Sequence, residues 1–343
     1  MYAGLDLSRK RLDVCVLDED GERVATRAVP PDREGLFGLV RGLGGARVQA
    51  AVESMTGARF VHDTLELAGW EVDIADAQRV KGLAPLACKT DRIDAWVLAE
   101  LARRELVPAI WLPSPEVRGE RERTRFRLHL VRHRSALKNR VHATLMTFGV
   151  PCPVSDLFGV TGRERLGRLA LPEPWATDVA VTLELIDDLT AQIDTVEADL
   201  TTVGRQHRYV SLLVTVPGIS WVLGSTIAAE IGDIARFSSA KKLAGYSGLC
   251  PRVYQSGERD RRGPLAKNGP KYLRWALIEA TIHACRHPAY RDHYQATKAR
   301  LGRHRGPKVA RVELARHLID AIWPMLTKGE PFAPAGPTAR LAA

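Results

Sequence analysis

Apolar positions alternate with others over residues 2–17, the period of a strand, and then give way to Asp18-Glu19-Asp20-Gly21, a turn signal. Residues 23–29 resume the alternation, so the pattern predicts a hairpin that opens a sheet. A helix is predicted over 32–43, and a buried strand over 47–52 that ends on Glu53. The turn at 54–57 leads to a helix through 67, then a strand over 70–74. From Gln78 the chain passes Pro85 to a strongly helical run over 95–106. Hairpin strands followed by alternating helices and strands make residues 1–107 an α/β domain.

Three prolines in the stretch 108–115 stop helix propagation and predict a linker. A long helix follows over 116–148, then an irregular stretch marked by Pro151, Pro153, Pro172 and Pro174. In a second helix reaching about Val203, the residues Leu183, Ile186, Leu189, Ile193, Val196, Leu200 and Val203 recur at three and four. That is near the spacing of a coiled-coil seam, and residues 116–208 are predicted as an all-α coiled-coil region. A mainly α domain is predicted over 209–328. It opens on a helix-hairpin-helix, with Leu212 to Ser220 turning through Pro217-Gly218 before Gly224 to Ile231. A short helix is expected over 237–243 and a turn over 245–251, and the Pro/Ala-rich residues 329–343 read as a disordered tail.

Charge changes the picture from fold to partner. Fifty Lys and Arg against forty Asp and Glu give 343 residues a net charge of +10 and a pI near 9.6, which favours a polyanion. With 45% apolar and 26% charged residues the chain has an ordinary globular composition. Its five cysteines are scattered singly, which suggests neither a disulfide framework nor a zinc site. An apolar run of membrane-spanning length is lacking and nothing resembles a signal peptide, so the expectation is a cytoplasmic protein without a membrane partner.

Four acids carry the candidate chemistry. Asp6 stands inside a strand between apolar neighbours, Glu53 ends a later strand, and Asp91 and Asp94 lie three apart at a helix start. Three of them have a plain alternative: Asp6 as an edge charge in water, Asp91 as a helix cap, Asp94 as a complement to the helix dipole. Taken together they form an oxygen-only ligand set suited to Mg²⁺ or Mn²⁺, ions that can clamp the attacking and leaving oxygens of a phosphodiester.

Basic residues are concentrated in three places. The long helix bears Arg123, Arg127 and Arg134 among nine cations, a face that either tracks a phosphate backbone or is simply solvated. Between Arg252 and Arg274, seven cations, including Arg259, Arg261, Arg262, Lys267 and Lys271, surround Ser256-Gly257. Residues 282–317 add nine more Lys or Arg against two acids. Ser256 is either a turn residue or a nucleophile whose phosphoryl transfer the arginines assist.

Gly4-Leu5-Asp6-Leu7-Ser8, Val52-Glu53-Ser54-Met55-Thr56-Gly57 and Lys89-Thr90-Asp91-Arg92-Ile93-Asp94-Ala95 resemble the signature of the DEDD transposases of bacterial insertion sequences. The heptamer is the most specific of the three. Glu53 is followed by Ser-Met-Thr-Gly, one residue longer than the usual family turn. The resemblance covers roughly residues 2–328 and implies a ribonuclease-H-like, junction-resolvase-like first domain. It also implies Asp6, Glu53, Asp91 and Asp94 as ligands of Mg²⁺, with Mn²⁺ as a second possibility, and Ser256 as the catalytic serine. Ser247, which also precedes a glycine, ranks lower.

What the resemblance further implies is a site-specific recombinase acting on donor and target DNA in the bacterial nucleoid, guided by a non-coding bridge RNA. Its members act as dimers or tetramers in which one subunit's serine meets another's acids. Two other functions fit the same residues: a metal-dependent junction endonuclease in which Ser256 is idle, and a nucleic-acid-binding protein without catalysis.

Overall fold

The computed structural model describes residues 1–83, 91–151, 154–256 and 259–333, without the side chains of 91, 92, 256 and 259–262. The heptamer's first two residues and the expected tail beyond 333 lie outside the described residues. The chain divides into two compact units, Met1–Leu112 and Pro113–Ala343.

The first unit is built on a five-stranded sheet, β1 (Tyr2–Leu7), β2 (Leu12–Leu17), β3 (Arg23–Val29), β4 (Gln49–Glu53) and β5 (Glu71–Ala75), in the order β3-β2-β1-β4-β5. Neighbours among the first three strands are antiparallel, whereas β4 runs parallel to β1 and β5 parallel to β4. The single strand expected over 2–17 is therefore two. Ser8 closes a turn on Arg11, its N–H and its Oγ each donating to the Arg11 carbonyl at 2.8 Å. Across the four turn residues the alternation changes phase: Leu7 and Leu12, paired on neighbouring strands, share a face although they are five residues apart, and that break marks two strands.

Alternation then sorts the side chains into two layers. Ala3, Leu5, Leu7, Leu12, Val14, Val16, Ala50, Val52, Val72 and Ile74 pack on one face with helices α1 (Arg33–Gly42) and α2 (Ala58–Leu67). Asp32 caps α1 by accepting from Gly35 N–H at 2.8 Å. After α3 (Ala77–Leu83), helix α4 (Asp91–Arg103) covers the opposite face, where Cys15, Leu17, Ala51 and Ala75 meet Ala95, Leu98, Ala99 and Ala102. The linker expected at 108 begins later. Ile110 N–H donates to Ile74 O at 2.8 Å and Ala109 bridges Ala75, so residues 108–112 are tied to the edge of β5.

The second unit is mostly helical. Helix α5 (Pro115–Thr147), capped by Ser114, and helix α7 (Trp175–Gln206) pack together, with α6 (Val160–Gly167) between them in sequence. Along the expected seam, Ile186, Ile193 and Leu200 are buried and Val203 is exposed. Three arginines of α5 turn to acids of α7: Arg127 to Glu197, Arg123 to Asp199 at 3.4 Å and Arg140 to Asp178 at 3.3 Å. Arg134 donates to Thr190 Oγ1 at 3.1 Å. Arg127, whose side chain is only 16% exposed, faces α7 more than water.

Beyond them come α8 (Val210–Leu213), α9 (Trp221–Ile231), a 3₁₀ turn (Ile234–Arg236) and α10 (Ala240–Ser247). The helix expected over 237–243 starts instead at Ala240, because Ser239 caps it and Asp233 caps the preceding turn. Likewise 245–247 belong to α10, and the chain leaves the helix only at Gly248, φ +70°. An antiparallel hairpin of β6 (Pro251–Ser256) and β7 (Arg259–Leu265), not foreseen from the sequence, precedes α11 (Lys271–Ala284). The last element, α12 (Pro288–Lys328), breaks at Gly302, φ +74°. Its halves fold back on one another, with Thr297 Oγ1 donating to Glu313 at 2.7 Å and His293 meeting His317 at 3.3 Å.

Candidate active site

In the first unit the acids gather at one end of the sheet. β1 and β4 pair in parallel as far as Leu5 and Val52, so Asp6 and Glu53 are the next residues on neighbouring strands. Both have the side-chain phase of the α4 face, Asp6 following Gly4, and Glu53 following Ala51. Each is half-buried.

Gly4 fixes the helix over them. A Cβ there would lie 1.8 Å from Ala95 O and 2.4 Å from Ala99 N, so α4 rests directly on the glycine. Tyr2 packs with Leu98 and Ala102, towards the far end of α4, and the helix therefore runs antiparallel to β1 with its start at Asp6's end. From the Gly4–Ala95 contact, two strand residues carry the chain about 6.6 Å to Asp6, and four helical residues carry it about 6 Å back to Asp91. Asp94 is half-buried one residue before Ala95, in the first turn of α4. Asp91 opens the helix, and its side chain lies outside the described residues. The positive end of the helix dipole thus falls among the acids.

Carboxylate oxygens alone are a donor set that fits a hard divalent ion. Among the described residues, Asp6, Glu53 and Asp94 are not drawn into a single group that could hold a metal.

A fifth acid escaped the sequence reading. Asp13 stands directly across from Asp6 in the β1–β2 register, on the α4 face, and is only 4% exposed. Arg11 donates to its Oδ1 through Nε at 3.1 Å and Nη2 at 2.5 Å. The signal was present: Leu12-Asp13-Val14 sets an acid between apolar neighbours, as Leu5-Asp6-Leu7 does.

In the second unit Ser256 ends β6 opposite Arg259 of β7, at the tip of the hairpin. The side chains of Ser256, Arg259, Arg261 and Arg262 lie outside the described residues. The β6 strand stands out from the core, with Val253 and Tyr254 more than half exposed. Lys267 and Lys271 are exposed, whereas Arg274 donates to the carbonyls of Ser247 at 3.1 Å and Asn268 at 3.4 Å, closing the base of the hairpin. Ser247 is 0% exposed, donates to Ala244 O at 2.7 Å and accepts from Leu249 N–H at 3.4 Å. A hydroxyl so enclosed cannot meet a substrate phosphate.

Gly218, at φ +85° in the predicted helix-hairpin-helix turn, packs on α11, where a Cβ would come 2.2 Å from Ala280 O. Glu230 of α9, wholly buried, is held by Arg125 at 2.8 Å and 3.1 Å, with Arg121 at 3.8 Å. This network docks α5 on α9 and was not anticipated.

Two family models match the chain. A transposase model of the DEDD type covers residues 3–149, and the model described as "Transposase IS116/IS110/IS902 family" covers 210–295. The chain belongs to this family of insertion-sequence transposases. Among similar family proteins is a "Probable family 20 transposase" of Pseudomonas aeruginosa, 28% identical over 96% of this chain and 98% of that protein. The transposase of IS1111A from Coxiella burnetii is 26% identical over 96% and 90% respectively. That of IS1328 from Yersinia enterocolitica is 27% identical over 82% and 85%. The DEDD-type match takes in all four acids, and the second match takes in Ser256. Among the described residues, no helix of this family member is long and apolar enough to cross a membrane.

Proposed function

We propose that this transposase is a site-specific recombinase that cuts and rejoins donor and target DNA through a serine nucleophile, with Asp6, Glu53, Asp91 and Asp94 as the ligands of a divalent ion. The observation that carries the reading is the meeting of two neighbouring strand ends, bearing Asp6 and Glu53, with the start of a helix bearing Asp91 and Asp94. A sheet ordered β3-β2-β1-β4-β5 with three antiparallel leading strands also supports a ribonuclease-H-like first unit.

A bound Mg²⁺ or Mn²⁺ would supply charge stabilisation at a phosphodiester. The chain's own residues do the rest. Ser256 Oγ attacks phosphorus and forms a serine–phosphate ester, its proton passing to a base, while the phosphorus–oxygen bond to the sugar breaks and the departing hydroxyl takes up a proton. Rejoining reverses these changes. Exposed cations hold the strands: Lys267 and Lys271 beside the hairpin, and Lys298, Arg300, Arg303, Arg305, Lys308 and Arg311 where α12 folds back. The family resemblance extends the reading to an RNA guide, a helix-hairpin-helix contact to phosphate, assembly as a multimer and action at the nucleoid.

The test separates a recombinase from a nuclease. Ser256→Ala should bind DNA, lose cleavage, and no longer give the protein–DNA adduct that the parent gives on a denaturing gel. Ser247→Ala should keep that adduct. Asp91→Asn and Asp94→Asn should abolish cleavage without unfolding the chain, as a chelator should for the parent. Near-parental cleavage by Ser256→Ala would instead favour a metal-dependent nuclease, and metal-independent cleavage would remove the acids from the mechanism.

A further inference from the structure

Asp13 has no part in the reaction as described, yet it is a poor residue to bury for stability alone. Its strand neighbours on the same face, Cys15 and Leu17, lie in apolar contact with α4. A carboxylate directly across from another carboxylate, Asp6, costs stability in a sheet. An apolar side chain at 13 would pack with Cys15 and Leu17 without that repulsion, and a buried ion pair is often no more stabilising than an apolar replacement.

The pair is also lopsided. Asp13 is buried, while the side chain of Arg11 is 53% exposed, and two of its donors converge on one oxygen of Asp13. The backbone of Arg11 is fixed by the two hydrogen bonds from Ser8. Arg11 is thus a half-exposed guanidinium aimed by a buried acid, at the β1–β2 turn beside the strand end that carries Asp6. Arg9 and Lys10, both exposed, precede it in the same turn.

A cluster of carboxylates repels the phosphodiester it is meant to receive. A cation anchored at its rim offsets that repulsion, and the planar fork of arginine suits a phosphate better than a mobile lysine does. We propose that Arg11 contacts the DNA phosphate presented to the acidic end of the sheet, and that Asp13 is a positioning residue that sets the angle of its guanidinium. The proposal rests on the reading of that sheet end as the metal-dependent site.

The experiment uses the full chain and DNA from the element's end. Affinity is measured in chelator over a range of salt, so that no metal chemistry enters, and cleavage kinetics and thermal midpoints are measured separately. Arg11→Ala should weaken DNA binding roughly tenfold, lower the slope of log affinity against log salt by about one, and leave the thermal midpoint close to the parent's. Arg11→Lys should restore the salt slope but not the cleavage rate. Asp13→Asn, which keeps volume and removes only the charge, should keep the salt slope and lower kcat with little change in KM.

Parental affinity and salt slope in Arg11→Ala, together with a lowered thermal midpoint, would reduce the pair to a structural ion pair. A loss of affinity for the element's RNA without loss for DNA would also overturn the proposal. Asp94→Asn serves as the reference: its failure to affect cleavage would sink the metal-site reading, while the chelator binding data would still decide whether Arg11 meets DNA.

Discussion

Gly4 lies directly beneath Ala95, so close that the first carbon of any side chain at residue 4 would overlap the Ala95 carbonyl. The obstacle is backbone, which no rotamer change relieves. Gly4→Ala should therefore destabilise the first unit by at least about 3 kcal/mol, at or beyond the upper end for overpacking. Gly82→Ala, at a helical glycine with open space around it, should stabilise by roughly 0.5–1 kcal/mol. Denaturant unfolding checks both. If Gly4→Ala proves neutral, α4 does not rest on β1 as described.

Glu230 is the keystone of a different contact. Removing its charge takes the carboxylate from Arg125, while Arg121 keeps the Ala229 and Glu230 carbonyls to which it donates at 2.8 Å and 2.7 Å, so Glu230→Gln should cost roughly 1–3 kcal/mol, measurable by urea denaturation. Replacing Glu230 with Gln at no cost would mean that the network contributes nothing to holding α5 on α9.

Salt dependence of nucleic-acid binding distinguishes two classes of arginine. Arg127 is committed to Glu197, so Arg127→Ala should leave the slope of log affinity against log salt unchanged while lowering the unfolding midpoint. Arg303→Ala and Arg305→Ala, at exposed positions where α12 folds back, should each lower the slope by about one. The opposite outcome would return the basic long helix to the nucleic-acid interface.

Acid should loosen the α12 fold-back. Burial, and then the neighbouring His293, push His317 below the ordinary histidine range, partly opposed by Asp320 and Glu313 and reinforced by Arg316. As pH falls through the unfolded value of about 6.5, the unfolded chain takes a proton that the folded chain resists, and stability declines until the lower folded value is passed. Thermal unfolding between mildly alkaline and mildly acid pH should show a fall that is shallower in His317→Gln. Equal slopes in parent and variant would rule His317 out as a contributor.

Much of the first unit was legible because its sheet layers follow the two-residue period: β4, β5, α1 and α2 fall within a residue or two of their expected places. Asp6 and Glu53 were legible as acids in apolar strands, and Asp13, with the same signature, was hidden inside a strand read as continuous. The signal was a break in phase, since the core face passes from odd residues 3, 5 and 7 to even residues 12, 14 and 16 across the turn. The arginines of α5 posed a different difficulty. A one-chain charge pattern cannot tell a cation that faces phosphate from one that faces Glu197 or Asp199 on a helix some 70 residues away, because pairing is decided by packing. The hairpin carrying Ser256 was obscured by its composition, since a strand rich in arginine, proline and glycine has neither alternation nor β-branched residues to announce it.

The pleat of β1 and β4 also limits how this gene can change length. An insertion or deletion of one codon between residues 49 and 53 would carry Glu53 to the α1–α2 layer, among Val52, Val61 and Leu65, and bury a carboxylate in the apolar core. The loop at Gly44-Gly45, where both glycines have open space around them, can absorb added residues without moving either strand. In this unit, then, a tag or spacer has a permitted address in the loop before β4, while a few residues further on a single added codon would separate Glu53 from Asp6.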